Sequence, residues 1–162
     1  MKNLIHLRDG VAEVAPGDSW QLLRETSEQL PEGQLILPLK DWLALESGAG
    51  FGVWLAPEDD PEDLIWRLKE PALIAIDFPS FRDGRGYSLA YLLRSRLGWR
   101  GELRAVGDVL RDQLAHMRQC GFDAFAVRED KSVEDALKGL AGLSVLYGRS
   151  VIEPRPLFRR RS

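Results

Sequence analysis

The chain has 162 residues, of which 44% are hydrophobic and 29% are charged, and this composition is typical of a folded globular protein. Its length fits a single domain. No apolar run approaches the roughly 18 to 20 residues of a transmembrane helix, and the N-terminal residues lack the apolar core of a secretory signal. We therefore expect a cytoplasmic protein. A single cysteine, Cys120, excludes an intrachain disulfide and any all-cysteine metal site.

The net charge of −3 conceals an uneven distribution. Residues 1–70 contain 14 Asp and Glu against 6 Lys and Arg, whereas residues 71–162 contain 11 against 16. This asymmetry favours an acidic ligand or partner at the second part, although solvated helix faces would produce the same pattern. The overall charge does not favour binding to nucleic acid.

The first part of the chain contains several short predicted elements. Residues 1–18 are predicted to form a peripheral leader, with an edge strand over residues 3–7. An amphipathic helix is predicted over residues 20–30, with Asp18 or Ser19 as its N-cap. A strand over 34–38, a short helix over 41–46 and a strand over 53–55 follow. Asp60 is the expected N-cap of the next helix, and Pro71 ends it.

Three apolar runs, over residues 73–76, 103–106 and 124–127, alternate with helical patterns over residues 87–97 and 109–120. This alternation predicts consecutive βαβ units on a parallel sheet. Gly98 and Gly121 mark the ends of the two helices, and Asp108 is the expected N-cap of the second. Ser132 and Asp135 resemble a capping box, which predicts a last helix that reaches about residue 141. A final edge strand is predicted over residues 145–147.

These patterns predict a single α/β domain over residues 1–150, with about five mainly parallel strands and helices on both faces. A partial TIM-like barrel is the alternative, because local patterns do not distinguish an open sheet from an incomplete barrel. Residues 151–162 are predicted to form a flexible basic tail, since Pro154 and Pro156 interrupt regular structure. This tail could dock on an acidic partner.

In open α/β sheets, ligands bind beyond the carboxyl ends of the strands. Asp77, Asp108 and Glu129 follow the three apolar runs and would converge on adjacent strands. Three such carboxylates could bind magnesium. The simpler interpretation, which we favour, makes Asp108 a helix cap and Glu129 a surface charge, and involves no metal.

Arginine is the more informative residue type in this region. Eight arginines and no lysines lie between residues 82 and 118. The forked donors of Arg82, Arg85 and Arg111 suit a sulfate, phosphate or carboxylate group. Asp112 and His116 lie four residues apart on one helical face and form a surface pair in the simplest interpretation. The sequence identifies no reaction.

The stretches FPSFRDGRGYSLAYLLR and GELRAVGDVLRDQLAHMRQCGFDAF, with the ending PLFRRR, closely resemble the bacterial domain-of-unknown-function family 934. The resemblance covers roughly residues 35–161. Its motifs RDGRGYS and LRAVGDVLRDQ are long and specific. The positions that match the family's strongest motifs are Asp77, Phe78, Arg82, Asp83, Arg85, Gly86, Tyr87, Asp108, Arg111, Asp112 and Gln113.

Members of this family tend to be encoded beside sulfite reductase and other enzymes of sulfate assimilation. The resemblance therefore implies an accessory protein of assimilatory sulfate and sulfite reduction that contacts sulfite reductase. A cofactor-dependent oxidoreductase, or another small enzyme of the pathway with an anion-binding site, is the alternative. The residues indicate no flavin, nicotinamide or siroheme site. The expected ligand- or partner-binding residues are Asp77, Arg82, Asp83, Arg85, Tyr87, Asp108, Arg111, Asp112 and Gln113.

Overall fold

The computed structural model describes residues 1–143, so the possible strand over residues 145–147 and the basic tail lie outside the described residues. The described chain forms one eight-stranded sheet flanked by helices. Its strands are β1 (Leu4–Arg8), β2 (Val11–Val14), β3 (Gln21–Leu22), β4 (Leu35–Pro38), β5 (Gly52–Leu55), β6 (Ile74–Phe78), β7 (Leu103–Gly107) and β8 (Ala124–Ala126). Its α-helices are α1 (Leu39–Leu43), α2 (Arg85–Tyr91), α3 (Leu114–Cys120) and α4 (Val133–Leu143), with 3-10 helices at Pro61–Arg67 and Arg111–Gln113 and a π-helical turn at Leu92–Arg96.

The strand order is β2-β1-β8-β7-β6-β5-β4-β3. Strands β3 to β8 are parallel to one another and follow in chain order. Strand β1 runs antiparallel to β8, and β2 runs antiparallel to β1. The mainly parallel α/β sheet is confirmed. The expected number of about five strands was too low, because the N-terminal segment adds β2 and β3 to the predicted strand that became β1.

The sheet curls into a half-barrel. Because neighbouring parallel strands are consecutive in sequence, right-handed crossovers place their connecting helices on the same face. The buried apolar side chains of the described helices, from Trp42 in α1 to Leu140 in α4, join one core cluster with Ile74 and Ile76 of β6. The prediction of helices on both faces is therefore wrong for residues 1–143, and the partial-barrel alternative describes the architecture better.

The opposite, concave face of the sheet carries a smaller apolar cluster. Trp20 and Leu22 of the N-terminal segment pack against this cluster and cover part of the face. The cluster's buried members are Ile36, Leu73, Ala75 and Val106.

The amphipathic helix predicted over residues 20–30 does not form. The Gln21 amide donates to the Gln34 carbonyl oxygen at 2.9 Å, and the Leu23 amide donates to that of Ile36 at 3.0 Å. These bonds to β4 and its flank use the donors that a helix would need, so tertiary pairing overrides the helical pattern. The predicted strand over residues 3–7 does form, but β1 lies between β2 and β8 and is not an edge strand.

Several predicted helix ends are confirmed. Asp60 caps the 3-10 helix by accepting a hydrogen bond from the Glu62 amide at 2.9 Å. Gly121 ends α3 with a φ of +116°, in the left-handed region that glycine adopts without strain. The Asp135 amide donates to the Ser132 hydroxyl oxygen at 3.1 Å at the start of α4.

No helix over residues 1–143 combines the length and apolar character that a bilayer span requires.

Candidate functional site

The carboxyl ends of β6, β7 and β8 meet at one edge of the half-barrel. The pairing of Phe78 with Gly107 aligns the ends of β6 and β7, and β8 lies beside β7. A cleft of about 450 Å³ at this edge is lined by Asp77, Asp108 and Arg128. Asp77 lies near the end of β6, and Asp108 and Arg128 come just after β7 and β8. Arg24, from the segment after β3, also lines it. We call this opening the strand-end cleft.

The ends of β6 and β7 come into close contact only because residue 107 is a glycine. Gly107 has a φ of +93°. A Cβ atom there would lie 2.5 Å from the Phe78 carbonyl oxygen and 2.6 Å from Asp77 Oδ1. The Asp108 amide donates to the same Phe78 oxygen at 2.7 Å. The close contact between the two strand ends therefore depends on the missing side chain.

Asp108 organises the loop after β6 and does not cap a helix, so that prediction was wrong. Its Oδ2 accepts a hydrogen bond from the Phe81 amide at 2.7 Å. Its Oδ1 accepts one from Arg128 Nη1 at 2.9 Å. Gln113 supports the same loop by donating to the Phe81 carbonyl oxygen, and it accepts a hydrogen bond from the Leu110 amide at 3.1 Å. Asp108 and Gln113 are thus positioning residues for the loop.

Asp77 is paired with an arginine that the sequence analysis missed. Arg24 Nη1 lies 2.9 Å from Asp77 Oδ2, and the guanidinium sits 5.0 Å from the centre of the Trp54 ring. The Asp77 side chain is only 9% exposed. Its Oδ1 is buried and has no hydrogen-bond partner. Arg24 was missed because it lies within the segment that was predicted as a helix over residues 20–30, and no motif marks it.

The three arginines expected to form an anion site are not among the residues that line the strand-end cleft. Arg85 forms a two-pronged bond to Asp83, with Nε–Oδ1 at 3.0 Å and Nη2–Oδ2 at 2.7 Å. This bond lowers the pKa of Asp83 to about 2. Arg111 Nη1 binds Asp135 Oδ1 at 2.9 Å, and Arg82 lies 5.6 Å over the Phe81 ring.

Tyr87 and Asp112, the other expected site residues, have different surroundings. The Tyr87 ring packs between those of Phe78 and His116, with centroid distances of 5.2 and 4.4 Å, and burial raises the pKa of its hydroxyl. Asp112 is exposed in a 3-10 turn. Within the described chain, no hydrogen bond or ion pair joins Asp112 to His116. Burial also raises the pKa of Cys120, which disfavours its thiolate form.

The carboxylates considered as magnesium ligands have other partners. Asp77 faces Arg24, and Asp108 binds Arg128. Glu129 is exposed, with its nearest cation, Lys2, at 3.9 Å. Within residues 1–143, no group of three or more His, Cys, Asp or Glu is arranged to hold a metal ion.

The fold and the cleft define an α/β half-barrel protein with charged side chains in a cleft at the carboxyl ends of its parallel strands. Residues 52–158 match the family model described as "Bacterial protein of unknown function (DUF934)". The chain belongs to this family. Neither the curated proteins nor the solved structures contain a match.

Proposed function

We propose that this protein is a cytoplasmic accessory protein of assimilatory sulfate and sulfite reduction that contacts sulfite reductase. Membership of the family supports the proposal, because the resemblance of RDGRGYS and LRAVGDVLRDQ implies this pathway. The observation that carries the proposed contact is the exposure of Trp66. Its side chain is 91% exposed, which is unusual for the largest apolar residue type.

Trp66 does not stand alone on the surface. Ile65 beside it is 45% exposed, and Tyr91, at the end of α2, is 52% exposed. An ion pair of 3.3 Å between Glu62 and Arg96 joins the 3-10 helix Pro61–Arg67 to the π-helical turn that follows α2. We propose that Ile65, Trp66 and Tyr91 contribute to one binding surface, which we call the aromatic surface. Tryptophan and tyrosine are enriched in the residues that contribute most to protein–protein binding.

The aromatic surface is carried on a well-anchored element. Arg67, next to Trp66, donates from Nε and Nη2 to Glu70, both at 2.9 Å, and from Nη1 to the Leu43 carbonyl oxygen at 3.0 Å. Its guanidinium also lies 4.4 Å from the centre of the Trp42 ring. Because this anchor fixes the helix, little backbone conformational entropy should be lost when Trp66 binds a partner.

The charge of the segment that leads to Trp66 indicates the chemistry of the partner face. The segment from residue 57 to residue 66 contains Glu58, Asp59, Asp60, Glu62 and Asp63 and no basic residue. We expect sulfite reductase to present an apolar pocket with a basic rim. The basic tail, which lies outside the described residues, would add a second contact with an acidic region.

Capture of purified sulfite reductase by the immobilised protein tests the proposal. Trp66→Ala should reduce capture at least about tenfold, as expected for an interface residue whose loss costs about 1.4 kcal/mol or more. Val11→Ala is the matched control, because Val11 is 57% exposed on β2 at the far side of the sheet. Deletion of residues 157–162 should weaken capture as well. Equal capture by wild type and Trp66→Ala would count against the aromatic surface, and no capture by wild type would count against the contact itself.

The second candidate function is a small, cofactor-dependent enzyme of the same pathway that binds an anion at the ends of its strands. The observation that favours it is the strand-end cleft, which brings Arg24 and Arg128 to one opening. Its position follows the general location of ligand sites in α/β proteins. An enzyme of this kind would respond to substitutions in the cleft and not to those in the aromatic surface.

A further inference from the structure

We propose that the strand-end cleft binds a small molecule that carries an oxyanion on an apolar body, and that Arg24 holds the oxyanion. The inference rests on the second candidate function, whose ligand class it names. It is independent of the contact with sulfite reductase, which involves a different surface.

The strand-end cleft is large enough for such a ligand. A second cavity of about 410 Å³ adjoins the first, and the two share Arg24, Gly107 and Arg128 as lining residues. Small-molecule sites commonly have volumes of about 300–1,000 Å³.

The floor of the second cavity is apolar. Leu22, Val106 and Ala126, from three different strands, line it. All three belong to the apolar cluster on the concave face, where Val106 is 3% exposed. Ala126 has too small a side chain to fill the space above β8. Leu22 and Ala126 are only partly buried, so a ligand with an apolar body could cover their exposed parts and remove them from water.

Arg24 is the cation in the cleft with unused hydrogen-bonding capacity. It directs Nη1 at Asp77, and its other N–H groups have no acceptor among the described residues. The guanidinium also lies 5.0 Å from the centre of the Trp54 ring, and this cation–π contact helps to hold it at the cleft. Arg128 differs, because its Nε, Nη1 and Nη2 already donate to Asp108 and Asp130. We therefore assign the oxyanion to Arg24 and a flanking role to Arg128.

The acidic residues of the cleft explain why the ligand should have an apolar body. Asp77, Asp108, Glu129 and Asp130 line the two cavities together with Lys2, Arg24 and Arg128. Their negative charge opposes a bare anion, so an inorganic ion should bind weakly. Burial of the apolar floor supplies the affinity that the oxyanion alone does not.

Calorimetric titration with phenyl phosphate and phenyl sulfate tests the inference. Inorganic phosphate, inorganic sulfate and phenol are titrated for comparison, because each represents either the oxyanion or the apolar body alone. At least one of the two phenyl esters should bind about tenfold or more tightly than its inorganic ion and than phenol. The tighter ester identifies the preferred oxyanion. Arg24→Gln should weaken its binding at least about tenfold, as expected for a lost charge-assisted hydrogen bond. Arg24→Lys keeps a positive charge for Asp77 and should still weaken binding, because the planar fork is lost.

Arg82→Gln is the matched control, because Arg82 is another arginine of this edge that does not line either cavity. It should leave the affinity for the ester unchanged. The inference is overturned if neither ester binds, if the inorganic ion binds as tightly as its ester, or if Arg82→Gln weakens binding as much as Arg24→Gln does. Capture of sulfite reductase by the same wild-type preparation is measured in parallel, so that failure of this inference is distinguished from failure of the contact.

Discussion

Arg104 and Asp18 form a buried, two-pronged ion pair on the concave face of the sheet. Arg104 Nη1 lies 2.9 Å from Asp18 Oδ2, and Nη2 lies 3.0 Å from Oδ1. The side chains are 0% and 6% exposed. Burial alone would raise the pKa of Asp18, but the hydrogen bonds and charges of Arg104 and of the N-terminal amine outweigh it and hold the pKa below its usual value. The pair fastens the N-terminal segment to β7.

Asp18→Asn should strongly destabilise the protein. Glu102, at 2.7 Å from Arg104 Nε, would then be the only carboxylate paired with the buried charge of Arg104 among the described residues. Removal of one partner from a buried ion pair typically costs about 3–5 kcal/mol. The free energy of unfolding in urea measures the effect. Asp83→Asn, which breaks the pair with the exposed Arg85, is the control and should change stability much less. Equal effects would contradict the structural role of Asp18.

Gly107→Ala should destabilise the strand-end cleft through two separate effects. A positive φ costs a non-glycine residue about 1–2 kcal/mol, and overlap with the Phe78 carbonyl oxygen should add about 1–3 kcal/mol. Gly50→Ala separates the cost of the positive φ from that of the overlap. Gly50 has a φ of +86°, but no atom lies within 4 Å of the added Cβ. Urea unfolding of both variants gives the difference. If the two substitutions cost the same, the close contact at Gly107 is not present in solution.

The anchor of the aromatic surface should depend on pH. The hydrogen bond from Arg67, with one from the Gly48 amide, lowers the pKa of Glu70 from 4.5 to about 2. Because the folded state lowers this pKa, the stabilising effect is present above about pH 4.5 and is lost as the pH falls towards 2. The stability difference between wild type and Glu70→Gln should therefore shrink between pH 5 and pH 2 in urea titrations. A difference that stays constant over this interval would contradict the pairing.

The repeated βα units were predictable because each buried parallel strand is a short apolar run bounded by turn residues, as in residues 73–76 and 103–106. That all the described helices lie on one face of the sheet was not predictable, because this depends on the order of the strands in the sheet. The segment around Gln21 also could not be predicted from local patterns. Its hydrophobic periodicity is helical, but its amides donate hydrogen bonds to the carbonyl oxygens at the edge of β4.

The candidate site shows a similar division. The position of Asp77 and Asp108 at one edge follows from the parallel strands, and the sequence analysis located it. The partners of the arginines did not follow from local patterns. Arg111 binds Asp135, 24 residues away, and Arg24 reaches Asp77 across the sheet. Such long-range pairs are set by topology, so an arginine-rich sequence gave no indication of which guanidinium keeps free donors.

Growth of a bacterium that carries this gene, with and without the gene deleted, tests the central claim most directly. Sulfate, sulfite and sulfide are supplied in turn as the sole sulfur source. An accessory role in sulfite reduction predicts poor growth of the deletion strain on sulfate and on sulfite, with full recovery on sulfide. Normal growth on sulfate, or recovery on sulfite, would contradict that role.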